Sequence, residues 1–179
     1  MGTQIKFFPV LMVGFAILMR LLPHPANVAP ISALALFGGV YLPKKYAFIL
    51  PLLALLISDY LIGFYGLEMF FVYGSFILTS LIGLWLKAHK NTIYIIGASL
   101  TSSVLFYIIT NFGVWILPYS FYGKDLNGLI QSYYFALPFF RNTILGDLFF
   151  VGVFFGGYEL AFIIAKNYLP KKYLQKLGR

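Results

Sequence analysis

From Phe7 to Ala165, apart from residues 118–140, the chain is a series of apolar runs divided by short clusters of Pro, Gly and basic residues. Each run approaches the ~20 residues that a helix needs to cross a hydrocarbon core of ~30 Å. Only 10% of the residues are charged and 61% are hydrophobic, whereas soluble domains carry about 25% charged residues. Such a chain cannot cover itself with polar side chains, so its expected solvent is lipid. The reading is a single transmembrane domain over residues 1–179, an all-α integral membrane protein.

Six spans are expected, at about 5–22, 27–43, 46–66, 69–87, 92–117 and 141–166. Lys and Arg positions test this division, because they took no part in choosing the spans. With the N-terminus inside, Lys6, Lys44, Lys45, Lys87, Lys90, Lys166, Lys171, Lys172, Lys176 and Arg179 fall on the inner side, and Arg20, Lys124 and Arg141 on the outer. Ten against three predicts both termini in the cytoplasm and a multi-pass protein of the cytoplasmic membrane. The net charge of +8 is then a topology signal and not a nucleic-acid footprint. Lys6 and the apolar Phe7–Met19 have the form of a signal peptide's core, but Arg20-Leu21-Leu22-Pro23-His24-Pro25 offers no small-residue cleavage site, so the segment is read as the first span.

Residues 118–140 are too interrupted for a clean span. Tyr119, Tyr122, Tyr133, Tyr134 and Phe135 suit the headgroup region, where 128–139 would form a short interfacial helix between helices 5 and 6 or an irregular aromatic loop.

An ionisable group inside a span costs several kcal/mol unless it meets a partner or water. Arg20, Asp59, Arg141 and Asp147 are therefore the leading candidates, with His24, Asn27, Asn111, Asn142 and Glu159 beside them. The third helix runs outward from Lys45 at ~1.5 Å per residue, which places Asp59 beyond the midplane. Asn111 falls in the outer half of the fifth helix, and Asp147 lies about two turns below the outer end of the sixth. If these groups face one another, two arginines and two aspartates form a nearly neutral cluster around an outward-facing pocket. Thr143 and Asp147 are four residues apart and can project together, as can Asn111 and Trp115, an amide beside an aromatic wall. The competing reading has the arginines snorkelling to headgroups and the aspartates pairing locally.

Small residues recur at Ala29, Ala33, Ala35 and Gly39, and again at Gly152 and Gly156, a spacing that lets helices approach closely. There is no cysteine, which excludes disulfides and thiolate metal sites. Two histidines without an H-E-x-x-H spacing make a metal site unexpected. No cofactor is expected either.

Four stretches, Leu22-Pro-His-Pro-Ala-Asn-Val-Ala-Pro-Ile-Ser-Ala, Ser58-Asp-Tyr-Leu-Ile-Gly-Phe-Tyr, Thr110-Asn-Phe-Gly-Val-Trp and Pro138-Phe-Phe-Arg-Asn-Thr-Ile-Leu-Gly-Asp, together resemble a family of small bacterial six-helix membrane proteins of unknown function. By size and layout the chain is also similar, more distantly, to the substrate-binding S-components of energy-coupling-factor (ECF) transporters. That likeness implies capture of a vitamin or other small nutrient from outside, with a transmembrane coupling subunit and ATPases as partners and residues 23–30 as a lid. The first helix offers only Gly14 and Ala16 where S-components carry an Ala-x-x-x-Ala docking signature, a departure from that pattern.

The chain has no Gly-x-x-x-x-Gly-Lys-Ser/Thr stretch and so is not expected to be the ATPase itself. A free-standing carrier or structural subunit is the alternative. A membrane enzyme using His24, Asp59, Asp147 and Glu159 is a weaker one, and the chain is expected not to be an enzyme.

Overall fold

The computed structural model describes the backbone of residues 3–168, with side chains for 9–164 and Lys166. Within those residues the chain is all helix and turn, without a strand. The elements are α1 (Thr3–Leu21), α2 (Ile31–Tyr41), α3 (Lys44–Ile62), α4 (Glu68–Leu86), α5 (Thr92–Ile116), α6 (Leu126–Val151), a π-helical turn (Gly152–Gly156) and α7 (Gly157–Tyr168). Lys171, Lys172, Lys176 and Arg179, on which part of the topology reading rests, lie outside the described residues.

Four helices are long and apolar enough to cross a membrane: α3, α4, α5 and the continuous helix Leu126–Ile164. Their outer faces carry large exposed hydrophobic side chains such as Leu61, Phe70, Leu81, Ile108, Leu145 and Phe149. An apolar belt of this extent is stable in lipid and not in water.

Two elements differ from the sequence expectation. The second span was expected over 27–43, but its helix is confined to Ile31–Tyr41. Residues 22–30 are irregular because Pro25 and Pro30 cannot extend a helix backward and Asn27 adopts a left-handed φ of 65°. The sixth helix starts at Leu126, not at 141, so 128–139 is the first part of α6 and neither a separate interfacial helix nor a loop. Asp125 makes the early start possible, because its carboxylate accepts the Gly128 N–H at 2.7 Å and satisfies an end group that would otherwise be orphaned. Pro138 sits inside α6 without ending it.

Helix α2 is the centre of the bundle. Its residues Ile31 to Val40 are all buried, and it packs against α1, α3, α4, α5, α6 and the π turn. Its approach to α4 is close enough that only glycine fits at the crossing. A Cβ on Gly83 would lie 2.8 Å from the Ala35 carbonyl oxygen and 2.9 Å from the Leu36 Cα, and one on Gly39 would run into the Gly83 backbone. The Ala35–Gly39 pair is thus internal packing, while a Cβ on Gly152 or Gly156 would meet nothing within 4 Å. Ser80 adds a polar tie at the same layer, its hydroxyl lying 2.7 Å from the Ala47 carbonyl of α3.

Gly39→Ala should lower the thermal unfolding temperature of the detergent-solubilised protein by about 5 °C, the effect of overpacking by ~1–3 kcal/mol. Gly97→Ala, at an α5 position open to space, should leave it unchanged or raise it. Equal behaviour of the two variants would mean that α2 and α4 do not meet at Gly39.

Candidate functional site

The last turn of α1 delivers Arg20 to α3. Its Nη2 lies 2.7 Å from the Asp59 Oδ1, and its Nη1 donates to Ser58 Oγ at 2.7 Å. Ser58 can accept because its own proton is given to the Ala54 carbonyl at 2.6 Å. The second carboxylate oxygen of Asp59 accepts from Tyr73 of α4 at 2.8 Å and from Tyr65, in the 63–67 connection, at 3.5 Å. Asp59 is 1% exposed and the Arg20 side chain 17%, so the aspartate is sealed in and the arginine keeps an edge free. Partial burial, and next the negative charge of Asp59, push the Tyr65 phenol up to about 12. Tyr65 therefore stays neutral, and a hydrogen-bond donor, at any physiological pH.

A second carboxylate, Asp147 of α6, is 3% exposed and accepts from Ser103 of α5 at 2.6 Å. Ser32, in the first turn of α2, also faces it. Ser103 Oγ lies 3.1 Å from the Ser99 carbonyl as well, but its single proton favours the shorter, charge-assisted bond. Among the described residues no basic side chain lies within 4 Å of Asp147.

The 22–30 segment closes the site from one side and is pinned to α6. Asn142 Nδ2 donates to the Ala26 carbonyl at 3.2 Å, and Gly146 admits the segment, since a Cβ there would sit 3.1 Å from the Val28 Cα. The stretch Asn142-Thr143-x-x-Gly146-Asp147 thus places a clamp, a cavity wall, a backbone contact and a buried acid along one helix.

Between these groups lies a cavity of about 270 Å³, whose lining includes Arg20, His24, Asn27, Ser32, Phe106 and Asp147. A second cavity of about 340 Å³ shares Asn27, Val72, Phe106 and Thr143 with it and continues toward Asn111, Tyr107 and Phe140. The two adjoin, so a polar, charged chamber leads into an aromatic one. Asn111 lines the second chamber and donates to the Tyr107 carbonyl at 2.7 Å.

A family model matches the chain over residues 3–171. The protein belongs to the family of unknown function DUF6580. No curated protein and no solved structure matches it. Neither finding carries the likeness to S-components.

Of the residues singled out from its sequence, this DUF6580 chain brings Arg20, His24 and Asp147 to the first chamber, Asn111 to the second, and Asn27 and Thr143 to both, while Glu159 lines neither. Asp59 stands behind Arg20 and holds it, and Asn142 holds the 22–30 segment. Trp115 lines neither chamber and donates from Nε1 to the Gly123 carbonyl at 2.9 Å. Arg141 is exposed on α6 and lines neither. The expected cluster of two arginines and two aspartates is therefore one ion pair and one separate carboxylate. Ser32, Tyr65, Tyr73 and Ser103, partners of the carboxylates, and Ser58, a partner of Arg20, were not singled out from the sequence. The one signal for them was Ser58 adjoining Asp59; single hydroxyls are otherwise common in apolar helices. Among the described residues no group of three or more His, Asp or Glu could hold a metal ion.

Because Asp59 is sealed and Arg20 is not, Arg20→Met should cost more stability than Asp59→Leu. Stranding a buried carboxylate costs ~3–5 kcal/mol, whereas removing both charges is often close to neutral. Thermal unfolding of the two single variants and the double variant checks this. A double variant no more stable than Arg20→Met would refute the pairing.

Proposed function

We propose that this chain is a multi-pass protein of the cytoplasmic membrane that binds a small molecule in the two-chambered cavity, as the substrate-capturing subunit of a nutrient-uptake system. The observation that carries the reading is the cavity itself, walled by a nearly fully buried carboxylate on α6 and by Arg20, which Asp59 holds from behind. Ionisable groups within membrane helices are costly and mark functional sites by default. A concave site with a few convergent polar groups among apolar walls is the usual form of a small-molecule pocket.

The length of α2 supports the same reading. Its 11 residues rise ~16 Å, about half of a ~30 Å hydrocarbon core. If the second segment crosses the membrane, the irregular 22–30 backbone supplies the rest of the crossing. Non-helical backbone at that depth is tolerated only where it is buried in protein or lines a cavity, and here His24, Asn27 and Ala29 line one. The distribution of basic residues orients the cavity toward the outside. On this reading a separate transmembrane subunit and ATPases supply the energy, since no phosphate-binding loop occurs in the chain.

Native mass spectrometry of the protein, extracted gently from its own membranes, tests the proposal. The expected result is a retained non-protein mass that Asp147→Asn releases and Lys87→Ala, on the exposed end of α4, does not. Absence of any bound molecule in the unmodified protein would refute the binding function. Absence of co-purifying ATPase subunits would refute the coupled-transporter part.

A further inference from the structure

The two carboxylates of the site stand in different electrostatic positions. Asp59 has a guanidinium at 2.7 Å. Among the described residues Asp147 meets only hydroxyls, from Ser103 and Ser32. Among the described residues the basic side chains that share its chamber are Arg20 and His24. Arg20 is already committed to Asp59 and Ser58, and His24 is exposed. The chamber thus contains one acid without a counter-charge, in surroundings where an uncompensated charge is expensive.

The rest of the lining points to what would neutralise it. Phe76 and Phe106 lie in contact, ring centroids 5.4 Å apart, and both wall the first chamber. In the second chamber Tyr107 and Phe140 stack at 4.4 Å. Aromatic faces attract cations and accept flat apolar bodies. The other polar side chains of the lining, among them Asn27, Tyr65, Asn111 and Thr143, are neutral groups.

We infer that the occupant of this cavity is an organic cation, an amine on an aromatic or otherwise apolar body, whose ammonium group takes the Asp147 carboxylate as its counter-charge. The ammonium sits in the first chamber and donates to Asp147, while Ser32 and Ser103 hold that carboxylate in place. The apolar body extends past Phe106 into the second chamber. This rests on the cavity being a binding site, and it adds the charge and the shape of what binds.

The test uses the whole protein in lipid nanodiscs and three ligands of nearly equal size: phenethylamine, the neutral 2-phenylethanol and the anionic 3-phenylpropionate. Binding is read by isothermal calorimetry, with sodium chloride exchanged for potassium chloride in a parallel series. Phenethylamine should bind on the order of tenfold or more tighter than either of the others, the discrimination expected of a charge-assisted contact. Asp147→Asn should abolish that preference while leaving 2-phenylethanol unchanged.

The comparison among ligands on the unmodified protein needs no variant, so it stands even if Asp147→Asn fails to fold. A preference for 3-phenylpropionate would make Arg20 the anchor and overturn the inference. Stabilisation by sodium alone, with no preference for the amine, would make Asp147 a metal-ion site and overturn it as well. A neutral or anionic molecule retained by the protein from native membranes would leave the binding function intact and remove only the amine.

Discussion

The ion pair between Arg20 and Asp59 is the interaction on which the site depends. It ties the end of α1 to α3, and through the second oxygen of Asp59 it draws in Tyr73 of α4 and Tyr65 of the following connection. A buried pair contributes little net stability compared with apolar residues of the same volume. Its consequence here is positional: four segments converge on one carboxylate, and Arg20, the only arginine of the cavity lining among the described residues, is taken out of circulation. Asp147 is left without a cation because Arg20 is already engaged elsewhere.

The second constraint is the depth at which the chain stops being helical. Helix α2 is short and wholly enclosed, and the close α2–α4 contact at Gly39 and Gly83 fixes its position. The irregular 22–30 segment then has no partner helix of its own, and its backbone must find donors and acceptors among its neighbours. Asn142 supplies one of them, and Gly146 supplies the room. Clamp and carboxylate lie on the same α6, so any shift of that helix would move the wall of the cavity and its buried acid together.

Much of this was legible in the amino-acid sequence, for a physical reason. Arg20, Asp59 and Asp147 are rare charges in apolar surroundings, and their cost makes them conspicuous in any reading. Their partnership was not legible, because hydropathy places residues at a depth and says nothing about which helices are neighbours. Arg141 has the right depth and faces outward. The start of α6 was misread because the polar and interfacial aromatic residues of 118–140 interrupt the apolar run, while the capping by Asp125 that makes an earlier start possible depends on a three-residue contact to Gly128. The true extent of α2 was hidden because 27–43 is apolar enough to count as a span, although two prolines and the left-handed Asn27 hold its first residues out of a helix.

On the proposed reading, the space between Arg20, Phe106 and Asp147 is built around a guest. A structure of the protein in nanodiscs, prepared from its own membranes without added ligand, tests this most directly. Non-protein density in contact with Asp147 and Phe106, with Arg20 still on Asp59, is the expected result. A closed chamber in which Arg20 has left Asp59 to pair directly with Asp147 would contradict it.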